Sequence, residues 1–342
     1  MQVIIPLAGK GTRLRPHTHL VPKPLLKVAG RPVMDWVMDR LSGLPVEELI
    51  FITGHLKEQV EAYVREHYKT PSRFVEQKVQ DGTAGAVNLA RPFVHGPVLI
   101  IFVDTVFEAD LSIATASEDD GIIWAKEVED YQRFGVVVTD AAGYMTRIVE
   151  KPKEPISKLA NIGLYYVRDV DALWQGIDHV LGGARNKGEW FLTDAFQWMI
   201  DHGRRIRTAE VGGWYDCGAF NTVLETNRTL LQKTASTGAL GHGGTLQPGK
   251  RRTGSRRVTP GVTIVEPVLI EDDVVIERST VGPCVTIEAG TVIRDSTVTN
   301  AIVGRRCRIE RSRLDGAMLG DEVVVEGLHG GASLGSHSEV RG

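Results

Sequence analysis

The sequence has little cysteine and almost no net charge. Its three cysteines, Cys217, Cys284 and Cys307, are too few and too scattered among 342 residues for a disulfide framework, and no CxxC pair indicates a zinc site. With 40 basic and 43 acidic residues, the formal charge of -3 creates no field that would concentrate nucleic acid or an anionic membrane surface. The composition therefore predicts reduced thiols and no nucleic-acid partner.

Long hydrophobic runs are also absent. The longest purely apolar run, residues 98–103, is far shorter than the roughly 20 residues that a membrane-spanning helix needs. Met1 leads into an apolar stretch without a basic leader, so we expect a cytoplasmic protein without a membrane partner. A content of 42% hydrophobic and 24% charged residues is typical of globular proteins, and the length suits two domains.

Short apolar runs alternate with amphipathic stretches in the first two-thirds of the chain. They predict strands over 3–7, 49–53 and 98–103 and helices over 33–41 and 57–67. Because such continuous apolar strands must be buried on both faces, the pattern predicts an α/β fold with a Rossmann-like, mainly parallel sheet. Ligands bind outside the carboxyl ends of strands in these sheets, so the loops after the first and last of these strands are candidate sites.

A different period begins near residue 258. Eleven consecutive intervals of five or six residues separate aliphatic side chains, and these are Ile264, Ile270, Ile276, Val281, Ile287, Ile293, Val298, Val303, Ile309, Leu314, Leu319 and Val325. The spacing is typical of a left-handed parallel β-helix, in which each hexad points one aliphatic residue inward, and is harder to obtain in a β-sandwich. We therefore predict an α/β domain at 1–233, a connector at 234–257 and a β-helix at 258–342.

A basic, glycine-rich loop follows the first strand. Gly9 and Gly11 let the backbone turn its N–H groups toward phosphate, and Arg13 and Lys23 add positive charge. The loop lacks the GxxxxGK[ST] pattern, and Leu14 stands where a dinucleotide fingerprint has its third glycine. A lone GxG would indicate an ordinary turn, but the neighbouring basic residues favour a phosphate-binding loop.

The loop is one of several motifs spread in order over the first 218 residues. They are Ala8-Gly9-Lys10-Gly11-Thr12-Arg13-Leu14-Arg15-Pro16, Pro22-Lys23-Pro24-Leu25, Gln77, Gly82-Thr83-Ala84-Gly85-Ala86, Asp104, Phe134-Gly135-Val136-Val137, Glu150-Lys151-Pro152, Asn161-Ile162-Gly163 and Gly213-Trp214-Tyr215-Asp216-Cys217-Gly218. Together they resemble the signature of the sugar-1-phosphate nucleotidylyltransferases. Residues 188–201 are similar to the glucose-1-phosphate thymidylyltransferases that carry a C-terminal β-helix.

The resemblance implies displacement at the α-phosphorus of a nucleoside triphosphate by a sugar 1-phosphate, with release of pyrophosphate. Arg13 and Lys23 would be the catalytic cations, and Asp104 and Asp216 would share a Mg²⁺ ion as cofactor. Because both substrates are anions, we expect catalysis by positioning and charge neutralisation rather than by acid–base chemistry.

The resemblance also implies two sets of binding residues. The nucleotide-binding set is Gly9, Gly11, Thr12, Gln77 and Gly82. The sugar-phosphate set is Gly135, Glu150, Lys151 and Asn161. The side-chain amide of Gln77 can pair with the edge of a pyrimidine base, whereas a surface glutamine is otherwise an unremarkable residue.

Three positions in two motifs depart from the family pattern and leave other functions open. Val103-Asp104-Thr105 stands where many members have Gly-Asp-Asn, and Cys217 replaces a usual threonine. A catalytically silent, regulatory paralogue therefore remains an alternative.

The substrates are also open. We expect dTTP and glucose 1-phosphate, with UTP and glucose 1-phosphate or GTP and mannose 1-phosphate as alternatives. An acyltransferase site in the β-helix is disfavoured because His329 and His337 lie in its terminal glycine-rich stretch. The β-helix favours instead a structural role in a homo-oligomer.

Overall fold

The computed structural model of the protein describes residues 1–237, 257–258 and 261–342. The chain forms two compact units, the first made of residues 1–10 and 40–214 and the second of residues 11–39 and 215–342. Most of the predicted connector, 234–257, lies outside the described residues, and the predicted domain limits stay predictions. No described helix has both the length and the hydropathy needed to span a membrane.

The strands up to residue 216 are β1 (Gln2–Pro6), β2 (Lys27–Val28), β3 (Arg31–Pro32), β4 (Glu48–Thr53), β5 (Ser72–Glu76), β6 (Val98–Ile101), β7 (Thr105–Glu108), β8 (Gly121–Glu127), β9 (Gly135–Thr139), β10 (Met145–Glu150), β11 (Leu159–Val167), β12 (Ile206–Glu210) and β13 (Gly213–Asp216). The α-helices are α1 (Val33–Met38), α2 (Lys57–His67), α3 (Thr83–Asn88), α4 (Ile113–Ala116), α5 (Val170–Gly182), α6 (Leu192–Asp201) and α7 (Phe220–Thr237). Short 3₁₀ helices cover Thr12–Leu14, His17–His19, Lys23–Leu25, Asp39–Leu41, Arg91–Phe93 and Tyr131–Arg133.

A mixed sheet of nine strands forms the centre of the first unit. Strand β1 pairs in parallel with β4 and β6, and β5 pairs in parallel with β4. Strand β11 runs antiparallel to β6, β8 and β9, and so extends the sheet beyond its parallel part. The predicted α/β fold is confirmed, with more antiparallel pairing than the apolar runs indicated.

Helices α3, α5 and α6 supply the apolar layer that covers this sheet. Val87, Leu173, Phe196 and Met199 from these helices are all fully buried in one core cluster with strand residues such as Ile100. Burial of one such side chain contributes about 1.5–3 kcal/mol, so this layer fixes the sheet whose loops carry the predicted site.

The second unit contains a parallel β-helix. Its strands are β14 (Arg257–Val258), β15 (Thr263–Ile264), β16 (Val268–Ile270), β17 (Val275–Glu277), β18 (Thr280–Val281), β19 (Val285–Ile287), β20 (Val292–Arg294), β21 (Thr297–Val303), β22 (Arg308–Glu310), β23 (Arg313–Leu319), β24 (Val324–Glu326), β25 (His329–Leu334) and β26 (Glu339–Arg341). Eleven of the twelve aliphatic positions singled out in the sequence are buried, and Ile264 in the first coil is half-buried. The aliphatic ladder therefore forms the interior, as predicted.

One outward ladder of the β-helix is partly covered by the rest of the second unit. Leu269, Thr286, Ile302, Met318 and Ser333 occupy equivalent positions on successive coils. Thr286 is fully buried, and Ile302 and Met318 are each 4% exposed. Thr286, Ile302 and Met318 are therefore shielded although they point outward, whereas Ser333 at the end of the ladder is exposed.

The segment 11–39 is attached to this ladder by specific contacts. Asn227 of α7 is fully buried, and its Oδ1 accepts hydrogen bonds from the Ala29 N–H and from the Thr286 hydroxyl, each at 2.8 Å. Lys27 forms an ion pair with Glu288. The segment that carries Arg13 and Lys23 thus packs on α7 and the β-helix.

At the other end of the ladder, the imidazole of His17 lies 3.2 Å from the Ser333 hydroxyl through its Nε2 atom. Burial lowers the pKa of His17 from 6.5 to about 4. The unfolded chain therefore takes up a proton near pH 6.5 that the folded protein accepts only near pH 4. Stability from this site is complete above pH 6.5 and is lost as the pH falls toward 4.

We predict that the His17→Gln variant loses less stability than the wild type between pH 7.5 and pH 5, because it removes this unfavourable proton uptake. The expected difference is about 2 kcal/mol. Urea unfolding at the two pH values measures it. The matched control is His19→Gln, since His19 is exposed, and an equal pH response in both variants would contradict the prediction.

Candidate active site

Three predicted site residues of the first unit lie at one edge of the sheet. Gly9, Gln77 and Asp104 follow β1, β5 and β6, whose strand network is parallel throughout. The carboxyl ends of these strands therefore point the same way, as in other ligand-binding α/β sheets. A methyl group added at Gly9 would meet no atom within 4 Å, so the backbone there is accessible to a ligand.

The loop that begins with Gln77 is held tightly. Gln77 continues the sheet through its N–H bond to the Thr53 carbonyl at 2.8 Å, and only 8% of the residue is exposed. Its amide Nε2 donates to Asp81 Oδ1 at 2.9 Å and to the Gly82 carbonyl at 3.3 Å. Gln80 donates from Nε2 to the Ala8 carbonyl at 2.6 Å, which connects this loop to the glycine-rich loop.

Gly82 is required by its conformation and by its surroundings. Its φ of +120° is rarely adopted by residues with a side chain, and a Cβ atom there would lie 2.3 Å from the Trp190 carbonyl oxygen. The same carbonyl accepts the Ala84 N–H at 3.0 Å. The backbone conformation of the loop is thus restricted where the resemblance places the nucleotide base.

The predicted sugar-phosphate residues come together within the first unit. A Cβ atom on Gly135 would lie 2.9 Å from Glu150 Oε2, 3.1 Å from Thr193 Cγ2 and 3.3 Å from Asn161 Nδ2. The Thr193 hydroxyl donates to Glu150 Oε2 at 3.3 Å. Glycine at position 135 therefore lets these polar groups approach more closely than a residue with a Cβ atom would allow.

Lys151 completes this cluster from an unusual backbone conformation. Its φ of +46° is uncommon for a residue with a long side chain and typically costs about 1–3 kcal/mol. The Phe134 carbonyl accepts its N–H at 2.9 Å, and Lys187 Nζ donates to its carbonyl at 3.1 Å. Its ammonium lies 3.4 Å from Glu150 Oε1 and 5.2 Å from the centre of the Phe191 ring.

Burial controls the protonation of the acidic and phenolic groups in the cluster. Desolvation raises the pKa of Glu150, and the positive charge of Lys151 opposes that rise. Asn161 Nδ2 donates to the Tyr165 hydroxyl at 2.6 Å. Burial, and then the negative charges of Glu150 and Asp104, raise the pKa of Tyr165, so Asp104 lies within electrostatic reach of the cluster.

The predicted phosphate-binding residues Gly11, Thr12, Arg13 and Lys23 belong to the second unit. Gly11 has a φ of +60° immediately before the 3₁₀ helix Thr12–Leu14, and its carbonyl accepts the Thr18 hydroxyl at 2.8 Å. A Cβ atom on Gly11 would lie 3.2 Å from the Cβ of Lys23. The glycine therefore permits the turn that brings the loop beside Lys23.

Arg13 and Asp216 are neighbours in the second unit. A Cβ atom on Gly218 would lie 2.7 Å from Asp216 Oδ1 and 3.3 Å from the Arg13 guanidinium. The Asp216 carboxylate accepts the Gly218 N–H at 2.6 Å, and its carbonyl accepts the Thr226 hydroxyl at 2.8 Å. Asp216 is therefore oriented by α7 and by the turn that follows it.

The carboxylates of Asp104 and Asp216 fit a magnesium ion by their chemistry. Mg²⁺ prefers oxygen ligands and binds through one or two carboxylates where substrate phosphates and waters complete its shell. Within the described part of the chain, no group of three or more His, Cys, Asp and Glu residues is placed to hold a metal. Asp104 belongs to the first unit and Asp216 to the second, so their sharing of one ion stays a prediction.

Several polar residues of these clusters were not anticipated from the sequence. Thr193 and Tyr165 contact the sugar-phosphate set, and Gln80 and Asp81 hold the loop of Gln77. Thr193 lies in the 188–201 stretch, so its motif was visible while its contact with Glu150, 43 residues away, was not. Asp81 directly precedes the Gly82 motif, and this adjacency was the feature of the sequence that could have indicated its role in the loop.

Comparison with known proteins agrees with these motifs. The family model described as nucleotidyl transferase matches residues 2–233. The bifunctional protein GlmU of Methanocaldococcus jannaschii is 34% identical over 68% of this chain and 55% of its own length. The chain thus spans about half the length of the GlmU proteins that it matches.

Two further relatives match over most of their own lengths. UTP–glucose-1-phosphate uridylyltransferase AglF of Haloferax volcanii is 31% identical over 68% of this chain and 98% of its own. A glucose-1-phosphate thymidylyltransferase of Streptomyces griseus is 27% identical over 95% of this chain and 93% of its own.

A solved structure shows the same fold over about two-thirds of the chain. UDP-glucose pyrophosphorylase complexed with UDP-glucose aligns with a TM-score of 0.62 at 22% identity, over 68% of this chain and 98% of that one. Because the family model covers more than half of the sequence and agrees with the motifs read from it, the protein belongs to the nucleotidyl transferase family.

Proposed function

We propose that the protein transfers a nucleotidyl group from dTTP to glucose 1-phosphate, forming dTDP-glucose and pyrophosphate. The observation that carries this proposal is the cluster at Gly135, where a largely buried carboxylate, an amide and a lysine ammonium come together beside a glycine. That combination suits a ligand with hydroxyl groups and a phosphate. The match to a glucose-1-phosphate thymidylyltransferase along 95% of the chain supports the choice of substrates.

The sugar 1-phosphate binds through complementary groups of this cluster. The Glu150 carboxylate accepts hydrogen bonds from sugar hydroxyls, while Lys151 neutralises the phosphate. Asn161 Oδ1 accepts the Gly163 N–H at 2.8 Å, and one hydrogen of Asn161 Nδ2 is donated to the Tyr165 hydroxyl. The second hydrogen of Nδ2 is left for the sugar. Gly135 offers a backbone contact.

The nucleoside triphosphate binds through the two glycine-containing loops. Gln77 and Gly82 contact the base edge, and backbone N–H groups of Gly9, Gly11 and Thr12 bind the phosphates. Arg13 and Lys23 neutralise the negative charge of the triphosphate.

The reaction is an in-line displacement. A phosphate oxygen of the sugar 1-phosphate attacks the α-phosphorus, and the bond from that phosphorus to the oxygen bridging to the β-phosphate breaks. The attacking oxygen is already ionised at neutral pH, so no general base is required. Charge neutralisation by Arg13, Lys23 and Lys151 lowers the barrier. Mg²⁺, held by Asp104 and Asp216, would supply further neutralisation of the triphosphate oxygens.

UTP is the second candidate nucleotide. It is favoured by the match to a uridylyltransferase that is covered over 98% of its length. GTP with mannose 1-phosphate remains the more distant alternative, and a silent paralogue would show no turnover. We also propose a homo-oligomer in the cytoplasm.

We predict that purified protein with Mg²⁺ releases pyrophosphate fastest from dTTP and glucose 1-phosphate, among dTTP, UTP, GTP and ATP offered with glucose or mannose 1-phosphate. A pyrophosphate-coupled assay measures this preference. Preference for UTP would select the second candidate. Absence of turnover with every pair, in protein shown to be folded, would contradict the proposed activity.

We predict that Arg13→Ala and Lys23→Ala each lower kcat by about 10²–10³-fold, because each removes a preorganised cation from the transition state. The steady-state rate of pyrophosphate release measures the loss. Lys69→Ala is the matched control, since Lys69 is exposed and lies outside the predicted site. Rates within twofold of wild type for either site variant would show that its cation is not catalytic.

We predict that Asp104→Asn and Asp216→Asn each abolish Mg²⁺-dependent turnover while thermal unfolding and oligomer mass stay unchanged. The amide keeps the size of the side chain but removes the negative charge that binds the ion. Asp171→Asn, on the exposed face of α5, is the control. A site variant with near-wild-type rates would remove that residue from the metal assignment.

We predict that Gly135→Ala raises KM for the sugar 1-phosphate about tenfold, the cost of roughly one displaced hydrogen bond. The added methyl group would lie 2.9 Å from Glu150 Oε2 and force the carboxylate to move. Gly96→Ala is the control because a methyl group there would meet no atom within 4 Å. An unchanged KM in Gly135→Ala would place the sugar elsewhere.

A further inference from the structure

The orientation of the Gln77 side-chain amide is set by two acceptors. Its Nε2 atom donates one hydrogen to Asp81 Oδ1 at 2.9 Å and is 3.3 Å from the Gly82 carbonyl oxygen. A carboxylate and a carbonyl can only accept hydrogen bonds. If the amide were rotated by half a turn, its Oε1 atom would face both acceptors and both bonds would be lost.

The other end of the amide is left as a hydrogen-bond acceptor. Both hydrogens of Nε2 are directed to Asp81 and Gly82, and no described residue donates to Gln77 Oε1. Gln77 is 8% exposed, so bulk water competes weakly for this oxygen. A ligand that meets Oε1 favourably must therefore bring a donor.

Asp81 occupies a space that the sequence keeps clear for it. A Cβ atom on Gly85 would lie 2.1 Å from Asp81 Oδ1 and 2.6 Å from its Cγ. Gly85 has an ordinary helical backbone inside α3, where glycine typically costs about 0.5–1 kcal/mol relative to alanine. Glycine at this position is therefore explained by the space that the Asp81 carboxylate needs, and not by an unusual φ.

We propose that Asp81 is a positioning residue that sets base specificity, by holding the Gln77 amide so that Oε1 accepts an N–H from the base. This rests on the proposed function, in which Gln77 contacts the base edge. Uracil and thymine present an N3–H donor and guanine an N1–H donor. Cytosine and adenine present an unprotonated ring nitrogen at the corresponding position, and this acceptor faces Oε1 unfavourably.

UTP and CTP form the matched probe pair, since their bases differ only at ring positions 3 and 4. Equilibrium binding of each to the full-length protein with Mg²⁺, measured by calorimetry without sugar phosphate, does not require turnover. Wild-type turnover of dTTP or UTP tests the proposed function separately. The two measurements distinguish failure of the activity from failure of this inference.

The Asp81→Asn variant removes the constraint with little change of size. An asparagine can either accept from Nε2 or donate to Oε1, so both orientations of the Gln77 amide find a partner. We expect the ratio of UTP affinity to CTP affinity to fall at least tenfold, with a measurable gain for CTP. A purely structural defect would weaken both nucleotides equally and leave the ratio unchanged.

Gly85→Ala displaces the same carboxylate without altering any charge, and we expect the same loss of discrimination. Glu76→Gln is the control for charge, because Glu76 precedes Gln77 and its carboxylate pairs with Lys57 at 2.6 Å instead. We expect this variant to keep the wild-type ratio.

The inference is overturned if the wild type binds UTP and CTP equally, or if Asp81→Asn and Gly85→Ala both retain the wild-type ratio. It is also overturned if Glu76→Gln changes the ratio as much as Asp81→Asn does, since the effect would then follow net charge and not the orientation of the amide.

Discussion

The placement of residues 11–39 depends on one buried amide. Asn227 Oδ1 accepts from the Ala29 backbone and from the Thr286 hydroxyl, and so connects the segment, α7 and the β-helix at a point without exposure to water. The segment contributes only the two-residue strands β2 and β3 to a sheet of its own. Its conformation, including the turn at Gly11, is therefore stabilised by the surface on which it packs rather than by an internal core.

The periodic parts of the fold could be predicted from the sequence because their burial is repetitive. Helix α2 has the predicted limits, and the aliphatic ladder of the β-helix is buried. The predicted helix 33–41 ends as an α-helix at Met38 and continues as a 3₁₀ turn to Leu41. The shielding of Ile302 and Met318 could not be predicted, since it comes from separate parts of the chain, α7 and the segment with Leu25 and Leu26.

The candidate site was predictable in its residue types but not in its supporting contacts. The motifs located Gly135, Glu150 and Asn161, yet the reason for glycine at position 135 is the closeness of Glu150 and Thr193. Val103, which departs from the family pattern, is 4% exposed and adds to the core beside Asp104. Cys217 is likewise buried, at 2% exposure. At both positions the side chain that departs from the family pattern is therefore packed in the protein interior.

The covered ladder of the β-helix also limits how this domain can evolve. Solenoids usually gain or lose whole coils easily, because each coil contacts only its neighbours. Here Gly30 packs on Leu269 in an early coil, while His17 meets Ser333 on the ladder four coils later. Deleting one coil would shift these two contacts relative to each other by one strand spacing, about 4.8 Å. Keeping both contacts therefore requires a constant number of coils between Leu269 and Ser333.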